Sequence, residues 1–358
     1  SEWIYRALSF LVVSCPCALV ISIPLSFFSG IGSASKKGIL IKGSNYLELL
    51  SKVSTVVFDK TGTLTKGVFK VQKINAIGIS KEKLLSFATT AEAFSTHPIA
   101  KALKEEYQKD IDLSKVVKHE ELAGFGIHAK IQENDVLVGN DKLLTKEKIK
   151  FDKSDDIGTI IYVAVNKKFK GYIVISDEIK EDTYKAINLL KKSGIKKTVM
   201  LTGDKKEVGE SVSSKLKLDS CYTELLPQDK VVKVEELMSQ NDTLGKLAFV
   251  GDGINDAPVL ALADIGIAMG GVGSDSAIEA SDIVIMTDEI SKISKAIKLS
   301  KKTMLIVKEN IIFAIAVKIL VLLLTALGVS SMWQAVFADV GVSVIAILNS
   351  LRVLLSKK

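Results

Sequence analysis

Three apolar stretches, each long enough to cross a lipid bilayer, bracket a long middle segment that is rich in charge. They cover about residues 4–28, 305–327 and 332–354. A membrane-spanning helix needs roughly 20 mostly apolar residues, and each stretch reaches that length. The alternative is that they form buried helices of a large soluble protein. The pattern favours a chain in which membrane-embedded and soluble parts are joined.

Positive charges near these stretches predict the topology. They follow the first stretch, precede the second and close the third: Lys36, Lys37, Lys42, Lys301, Lys302, Arg352, Lys357 and Lys358. The short link at residues 328–331 carries no charge. Because Lys and Arg are enriched in cytoplasmic loops, we expect the middle segment and the C-terminus to lie in the cytoplasm. The expected location is the plasma (inner) membrane.

The overall composition limits the classes of partner. The net charge is +7, but no arginine-rich patch is interleaved with aromatic residues, so nucleic acid is not an expected partner. Three cysteines are too few for a disulfide framework. The chain begins with Ser1 and has no signal-peptide pattern, and we expect it to be part of a longer protein.

The middle segment alternates strand-like and helix-like patterns. Short β-branched runs cover residues 53–58, 197–202 and 246–250 and lead to Asp59, Asp204 and Asp252. Strands alternating with helices predict an α/β fold with a parallel sheet. Ligands bind at the carboxyl ends of the strands in such folds, so we expect the three aspartates to converge on one crevice.

The pattern changes between residues 67 and 170, where strand-like pieces surround two helical pieces. We expect a smaller α+β domain inserted after the first strand of the sheet. The predicted domains therefore cover residues 1–50, residues 51–66 with 171–300, residues 67–170, and residues 301–358.

Four sequence motifs link this organisation to a known family. They are DKTGTLT at residues 59–65, TGD at 202–204, PQDK at 227–230 and GDGINDAP at 251–258. With these motifs in this order, the chain resembles the heavy-metal-transporting P-type ATPases, which are members of the haloacid-dehalogenase-like superfamily. The resemblance covers essentially the whole chain. It implies a HAD-like, Rossmannoid phosphorylation domain, an inserted nucleotide-binding domain and three transmembrane helices.

The resemblance also implies a phosphoryl-transfer site that uses ATP and Mg²⁺. A carboxylate can attack a γ-phosphate and form an acyl phosphate, and Asp59 is the expected nucleophile. Mg²⁺ prefers carboxylates together with phosphate oxygens, which suits Asp59 and Asp252, and the resemblance adds Thr61 to the Mg²⁺ site. The remaining implied site residues offset charge, donate hydrogen bonds or support the metal: Lys60, Thr202, Gly203, Asp204, Lys230, Asn255 and Asp256.

Thr61 separates this chain from related phosphatases, which place a second aspartate two residues after the nucleophile as acid and base. A threonine cannot do that work, so we expect a phosphoenzyme that hydrolyses slowly. Two other functions stay open from the residues alone. One is a membrane-tethered phosphatase, and the other is a non-catalytic subunit that senses nucleotide.

The predicted insertion carries the residues that the resemblance assigns to nucleotide binding: Glu92, His97, Pro98, Gly124, Gly126 and Asn140. Glycine permits close approach of a ligand to the backbone. Taken alone, His97 fits an ordinary surface or cap histidine better than a ligand contact, and the assignment depends on the whole set of residues. His119 and His128 have no ligand-like spacing, and we assign them no metal.

Cys15-Pro16-Cys17 lies within the first apolar stretch. Proline removes a backbone hydrogen bond and opens a helix locally, and thiolates are soft ligands for Zn²⁺, Cd²⁺ or Cu⁺. A transient metal site is one interpretation, and two apolar cysteines beside a kink is the other.

Lys318 and Asp339 are ionisable residues deep in the other two apolar stretches. Such groups are costly in a membrane and usually face a cavity or each other. They resemble the branch that exports Zn²⁺, Cd²⁺ and Pb²⁺, with Lys318 as counter-charge to Asp339. A Cu⁺ exporter is the alternative, and a purely structural Lys–Asp pair is another.

One part of the family pattern is not found in this chain. It has no Thr-Gly-Glu sequence, which in the family drives hydrolysis of the phosphoenzyme. We therefore expect full turnover to need a further, N-terminal part of the same pump as a partner.

Overall fold

A computed structural model of the chain describes residues 2–95, 97–241, 245–253, 256–270, 275–329 and 331–355. Asn255, Lys357 and Lys358, which the sequence analysis singled out, lie outside the described residues. The chain divides into two compact units. The first contains Ser1–Asp59, Glu181–Gly203 and Leu216–Lys358, and the second contains Lys60–Lys180 and Asp204–Lys215.

The secondary-structure elements are numbered along the chain. The strands are β1 (Ile39–Ile41), β2 (Val53–Asp59), β3 (Thr65–Ala76), β4 (Val116–Leu122), β5 (Gly126–Ile131), β6 (Asn134–Gly139), β7 (Thr159–Val165), β8 (Lys168–Ile179), β9 (Lys197–Leu201), β10 (Ser220–Tyr222), β11 (Lys246–Gly251), β12 (Ile265–Met269) and β13 (Ile283–Ile285). The α-helices are α1 (Glu2–Ser14), α2 (Cys17–Ser35), α3 (Ser44–Ser51), α4 (Lys81–Ala91), α5 (Pro98–Tyr107), α6 (Asp141–Lys146), α7 (Glu181–Lys192), α8 (Lys206–Leu216), α9 (Pro227–Asn241), α10 (Ala257–Leu262), α11 (Asp275–Ala280), α12 (Ser291–Ala326), α13 (Met332–Val336) and α14 (Val342–Leu351).

The first unit is built on a mainly parallel sheet, as predicted. Its described strands are ordered β1-β13-β12-β11-β2-β9-β10, and only the edge strand β1 pairs antiparallel. Every residue of β2 and β12 is buried, which is typical of strands covered by helices on both faces. Because β2 lies between β9 and β11, the residues that end these three strands meet at one edge of the sheet.

The second unit contains an antiparallel sheet with the strand order β3-β8-β7-β6-β5-β4. Helices α4 and α5 pack on it and share its apolar core, in which Leu84, Leu103 and Val163 are fully buried. The unit is wider than the predicted insertion at residues 67–170. The reason is that β3 and β8 are long strands whose pairing extends from Ala76 with Gly171 to Thr65 with Ile179.

Among the described residues, three helical segments are long and apolar enough to cross a membrane: Cys17–Ser35, Ser291–Ala326 and Trp333–Leu351. The apolar stretch predicted at residues 4–28 is divided at Pro16 into α1 and α2, and α2 extends to Ser35. The break is the one expected of this proline, which cannot donate a helical hydrogen bond. The last segment is interrupted by a π-helical turn at Phe337–Gly341.

Polar side chains join the membrane helices of the first unit. The Ser26 hydroxyl on α2 donates to the Ser350 hydroxyl on α14 at 2.8 Å. Asn310 on α12 donates to Ser350 Oγ at 3.0 Å and to the Ala346 carbonyl at 3.2 Å. Since these side chains are almost fully buried, the hydrogen bonds fix how α2, α12 and α14 face one another.

Candidate functional site

Asp59 is the last residue of β2, and its carboxylate is held within a cluster of charged groups in the first unit. Lys230 Nζ, from the first turn of α9, lies 2.5 Å from Asp59 Oδ1 and 2.9 Å from Asp256 Oδ1. Asp59, Asp256 and Lys230 are each at least nine-tenths buried. The residues that the sequence motifs separate by nearly 200 positions are thus brought into direct contact.

The electrostatics of this cluster are dominated by burial and by an excess of negative charge. Burial raises the pKa of Asp59 to about 7, repulsion by Asp256 adds to the effect, and Lys230 opposes it. Burial lowers the pKa of Lys230, but attraction to Asp59 and Asp256 outweighs burial, and the net pKa is raised. Lys230 is therefore a fixed cation beside carboxylates that it does not fully neutralise.

The same cluster has the composition of a site for a hard cation. Asp59, Asp252 and Asp256 each offer an oxygen, and these oxygens lie within 4.8 Å of one another. Mg²⁺ is bound in proteins through a few carboxylates together with water and substrate oxygens. A divalent cation would offset the charge that raises the pKa of Asp59, so the residues present fit Mg²⁺.

Close approach of Asp256 depends on a glycine. A β-carbon at Gly251, the last residue of β11, would lie 2.9 Å from Asp256 Oδ2, which is too close for an ordinary contact. Thr202 directly follows β9 and is 2% exposed, and its backbone N–H donates to the Tyr222 carbonyl at 3.0 Å. Gly203 is the next residue and also belongs to the first unit.

The predicted site residues Lys60, Thr61 and Asp204 belong to the second unit. There Lys60 Nζ forms a 2.5 Å ion pair with Asp204 Oδ2 and lies 3.9 Å from Asp177 Oδ2. Lys60 and Asp204 are therefore ion-pair partners within the second unit. Thr61 has a φ of −74° and a ψ of 130° within the turn between β2 and β3.

Asp177 was not identified from the sequence. It is near the end of β8, where it accepts a hydrogen bond from the Thr65 hydroxyl. Burial raises its pKa, whereas Thr65 and Lys60 oppose that effect. Lys180, which follows β8, donates to the Gly62 carbonyl. The antiparallel pairing of β3 with β8 brings these residues close together, and no local sequence pattern predicts it.

Most of the residues predicted to bind nucleotide line one cavity of the second unit. Its volume is about 300 Å³, and its lining includes Glu92, His97, Gly124, Gly126 and Asn140. Gly126 has a φ of +142°, and a β-carbon there would clash with the Val138 carbonyl. Asn140 donates to the Gly124 carbonyl at 2.9 Å. This hydrogen bond connects the turn that contains Gly124 to the start of α6.

Two residues of this cavity have distinct roles in the fold. His97 is the N-cap of α5 and its Nδ1 accepts from the Ile99 N–H at 3.2 Å, while Pro98 begins the helix. The ring remains exposed, so capping and ligand contact are compatible. Glu92 is 8% exposed, and burial raises its pKa.

A second cluster is found where the α1–α2 break meets the C-terminal membrane helices. Cys15, Cys17 and Asp339 place potential ligand atoms within 4.8 Å of one another. Lys318 Nζ donates to the Val13 carbonyl at 2.9 Å and lies 4.0 Å from Asp339 Oδ1. The Val13 carbonyl can accept from Lys318 because the helix stops before Pro16 and leaves this acceptor without its helical partner.

The two cysteines lie side by side at the helix break. The sulfur atoms of Cys15 and Cys17 are in direct contact across Pro16. The reduced pair is the form that would offer soft ligands. Asp339 Oδ1 is buried and has no hydrogen-bond partner among the described residues, and it can supply an oxygen ligand.

Comparison with known proteins shows what this chain is similar to. The haloacid dehalogenase-like hydrolase family matches residues 53–264. A cadmium, zinc and cobalt-transporting ATPase of Bacillus subtilis (strain 168) is 54% identical over 355 residues, which are 99% of this chain and 51% of the relative. A zinc-transporting ATPase of Synechocystis sp. (strain ATCC 27184 / PCC 6803 / Kazusa) is 54% identical over 99% of this chain and 49% of its own length.

A crystal structure of a zinc-transporting PIB-type ATPase in the E2.Pi state superposes with a TM-score of 0.88 at 36% identity, covering 99% of this chain and 58% of that one. The chain thus spans about half the length of the curated relatives that it matches. The family match includes β2, β9 and β11 with Asp59, Lys230, Asp252 and Asp256. The chain therefore belongs to the haloacid dehalogenase-like hydrolase family and, within that family, to the P-type ATPases.

Proposed function

We propose that this chain is the catalytic and C-terminal membrane part of a pump that uses ATP to export divalent metal ions, through an aspartyl-phosphate on Asp59. The contact of Asp59 with Lys230 at 2.5 Å inside a buried carboxylate cluster is the observation that carries the proposal. The names of the relatives, which specify cadmium, zinc and cobalt transport, support the choice of ion.

The chemistry follows from the position of Asp59. One carboxylate oxygen attacks the γ-phosphorus of ATP, a phosphorus–oxygen bond forms, and ADP leaves with the electron pair of the broken bond. Phosphoryl transfer depends mainly on positioning and on neutralising charge, and Lys230 supplies a fixed positive charge beside the attacking oxygen. Mg²⁺, held by Asp59, Asp252 and Asp256, would supply further charge neutralisation when bound.

The cavity formed by Glu92, His97, Gly124, Gly126 and Asn140 is the proposed nucleotide pocket. Its volume of about 300 Å³ is at the lower end of the range for small-molecule sites. The glycines let the backbone approach a ligand, and the exposed His97 ring and buried Glu92 offer polar contacts to a base. We infer that Pro98 sets the start of α5 and contributes indirectly.

The cluster of Cys15, Cys17 and Asp339 is the proposed site of the transported ion. Two thiolates and one carboxylate suit Zn²⁺ and Cd²⁺. Because thiolates are soft ligands, the proposal also includes Pb²⁺. Cu⁺ prefers soft ligands alone, so Asp339 favours a divalent ion. Lys318, 4.0 Å from Asp339, would act as the counter-charge of the carboxylate after the ion leaves.

The first test is formation of the phosphoenzyme. The purified chain, incubated with [γ-³²P]ATP and Mg²⁺, should yield an acid-stable, hydroxylamine-labile label that Asp59→Asn abolishes while binding of a non-hydrolysable ATP analogue persists. Asp110→Asn, an exposed acid of the second unit, is the matched control and should label normally. Labelling of Asp59→Asn at the normal level would refute the nucleophile.

The second test addresses the ion in the reduced protein. Cys15→Ser with Cys17→Ser should remove stoichiometric binding of Zn²⁺ and Cd²⁺, measured by equilibrium dialysis after reduction. Cys221→Ser is the control, because that cysteine is half-buried in β10 and outside the cluster. Undiminished binding in the double variant would place the transported ion elsewhere.

A further inference from the structure

A basic cavity of the second unit takes no part in the proposed function. Its volume is about 630 Å³, and it shares no lining residue with the nucleotide pocket. Its lining combines lysines with apolar side chains and one aspartate. The lysines that line it are Lys148, Lys150, Lys167 and Lys168. We call it the lysine cavity.

The lysine cavity has an excess of positive charge. In the described part of the chain, no side-chain hydrogen bond or ion pair involves any of its four lysines. Nearby lysines behave differently, since Lys153 pairs with Asp141 at 2.8 Å and Lys73 pairs with Asp156 at 2.8 Å. Asp152 is the acidic residue among the lining residues, so four cations face one carboxylate.

Lys148 is placed on the cavity by a turn that glycine would form more easily. It follows the C-cap of α6 with a φ of +55°. Its N–H donates to the Thr145 carbonyl and the next N–H donates to the Leu144 carbonyl. This is the Schellman arrangement, in which the left-handed position is usually glycine. A lysine there carries a backbone cost that its own packing does not explain.

Lys167 reaches the same cavity from a second turn. Val165 pairs with Lys168, so Asn166 and Lys167 form a two-residue hairpin loop, with φ values of +51° and +61°. Such loops strongly favour Asn followed by Gly. Asn166 is anchored by its contacts with β6, whereas Lys167 occupies the position that favours glycine. Two separate turns thus accept a costly lysine at one cavity.

The rest of the lining favours a discrete ligand. Phe151 and Phe169 contribute apolar surface, with ring centroids 6.0 Å apart at an interplanar angle of 61°. The volume is within the range of small-molecule sites, and lysine ammonium groups are effective point charges for phosphate. The lining belongs to the second unit and lies outside the described candidate membrane spans, which favours a free anion over a lipid headgroup.

We propose that the lysine cavity is a second anion site that binds a small, free ligand carrying two or more phosphate groups. It is separate from the nucleotide pocket, and the proposal does not depend on phosphorylation of Asp59. Phosphate could also be offered by the headgroup of an anionic lipid, and the experiment distinguishes the two sources.

The test titrates inorganic tripolyphosphate into the purified chain in detergent, with EDTA present, by isothermal calorimetry. Lys148→Gly with Lys167→Gly should weaken one binding event at least tenfold. Glycine suits both turns, so the variant should melt no lower than the parent chain. Lys217→Gly is the matched control, because Lys217 has a φ of +54° but does not line the cavity, and its affinity should not change.

Asp59→Asn should bind tripolyphosphate at the lysine cavity as the parent chain does, which separates this proposal from the proposed function. A second arm measures sedimentation with phosphatidylglycerol vesicles. Weaker tripolyphosphate binding with unchanged vesicle binding supports a free ligand. If the double variant binds tripolyphosphate with unchanged affinity, the proposed site is refuted. If the double variant loses only vesicle binding, the lysines bind lipid, and the proposal of a free ligand is refuted as well.

Discussion

At the scale of the residue, the chemistry of the first unit rests on an imbalance of charge around Asp59. Lys230 is in contact with both Asp59 and Asp256, yet the pKa of Asp59 remains raised to about 7 because of burial and of the neighbouring carboxylates. The proposed nucleophile is therefore poised near neutrality. A cation that joins the cluster would favour its ionised, reactive form.

Asp59→Asn should stabilise the metal-free chain, and more so at high pH. The folded state keeps a proton on Asp59 that the unfolded state, with the ordinary pKa of 3.8, has lost. The free energy of unfolding therefore falls as pH rises from about 4 to 7. Since Asn does not ionise, we expect a gain on the order of 4 kcal/mol at about pH 8 and less than half of that at about pH 5.

Thermal denaturation followed by circular dichroism in EDTA measures this gain. The Asp110→Asn control should show no such pH dependence. A destabilised Asp59→Asn variant at high pH would contradict the account of the charge cluster.

Gly126→Ala should weaken nucleotide binding by tenfold or more. A β-carbon there would clash with the Val138 carbonyl and lie 2.5 Å from Gly139 Cα, so the pairing of β5 with β6 would have to open at the pocket. Fluorescence titration with a labelled ATP analogue measures the effect. Gly78→Ala is the control, since Gly78 has a φ of +70° with no atom near its β-carbon, and equal losses in both variants would show that backbone strain alone is responsible.

At the scale of the element, the proline break and the π-helical turn together shape the membrane cluster. The break at Pro16 exposes the Val13 carbonyl to Lys318, and the π-helical turn at Phe337–Gly341 contains Asp339. Both are local departures from regular helix, which are frequent at functional sites. Lys318, on the uninterrupted α12, joins the two irregular segments.

Asn310→Leu should loosen the helices that hold this cluster. Asn310 is 2% exposed and donates to Ser350 and to the Ala346 carbonyl, and Leu would remove both of these hydrogen bonds between helices. Hydrogen bonds between membrane helices contribute about 0.5–2 kcal/mol, and we expect a loss of that size in unfolding titrated with dodecyl sulfate. Ile312→Leu, at an exposed position of α12, should cause no loss, and an unchanged Asn310→Leu midpoint would show that the contact is dispensable.

At the scale of the whole molecule, the chain combines membrane helices with two sheet-containing units whose proposed catalysis needs an aqueous environment. The positive charges at Lys36, Lys37, Lys301 and Lys302 predict that these ends of the helices face the cytoplasm. The link after α12 bears no charge and should face the other side. This topology would place Asp59 where cytoplasmic ATP is available.

Cysteine labelling in intact cells tests the topology. In a background without Cys221, Val329→Cys should react with a membrane-impermeant maleimide added from outside, since Val329 is 71% exposed. Lys301→Cys should react only after the cells are opened. The reverse pattern would invert the predicted orientation.

The amino-acid sequence by itself determined the elements whose signal is local. Long apolar runs identified the membrane helices, and strand-like runs that lead to Asp59 and Asp252 identified β2 and β11. The Gly-x-Gly and His-Pro patterns predicted residues that line the proposed nucleotide pocket. Each depends on residues close together in the chain, where hydrophobic length and turn chemistry are sufficient.

The tertiary structure decided the contacts that depend on pairing between distant segments. In the folded chain, Lys230 contacts Asp59 and Lys60 pairs with Asp204. Asp177 lies beside Thr65, and four lysines line one cavity. These contacts arise from strand register and helix packing, which sum many weak interactions over the whole fold. No short stretch of sequence contains that sum.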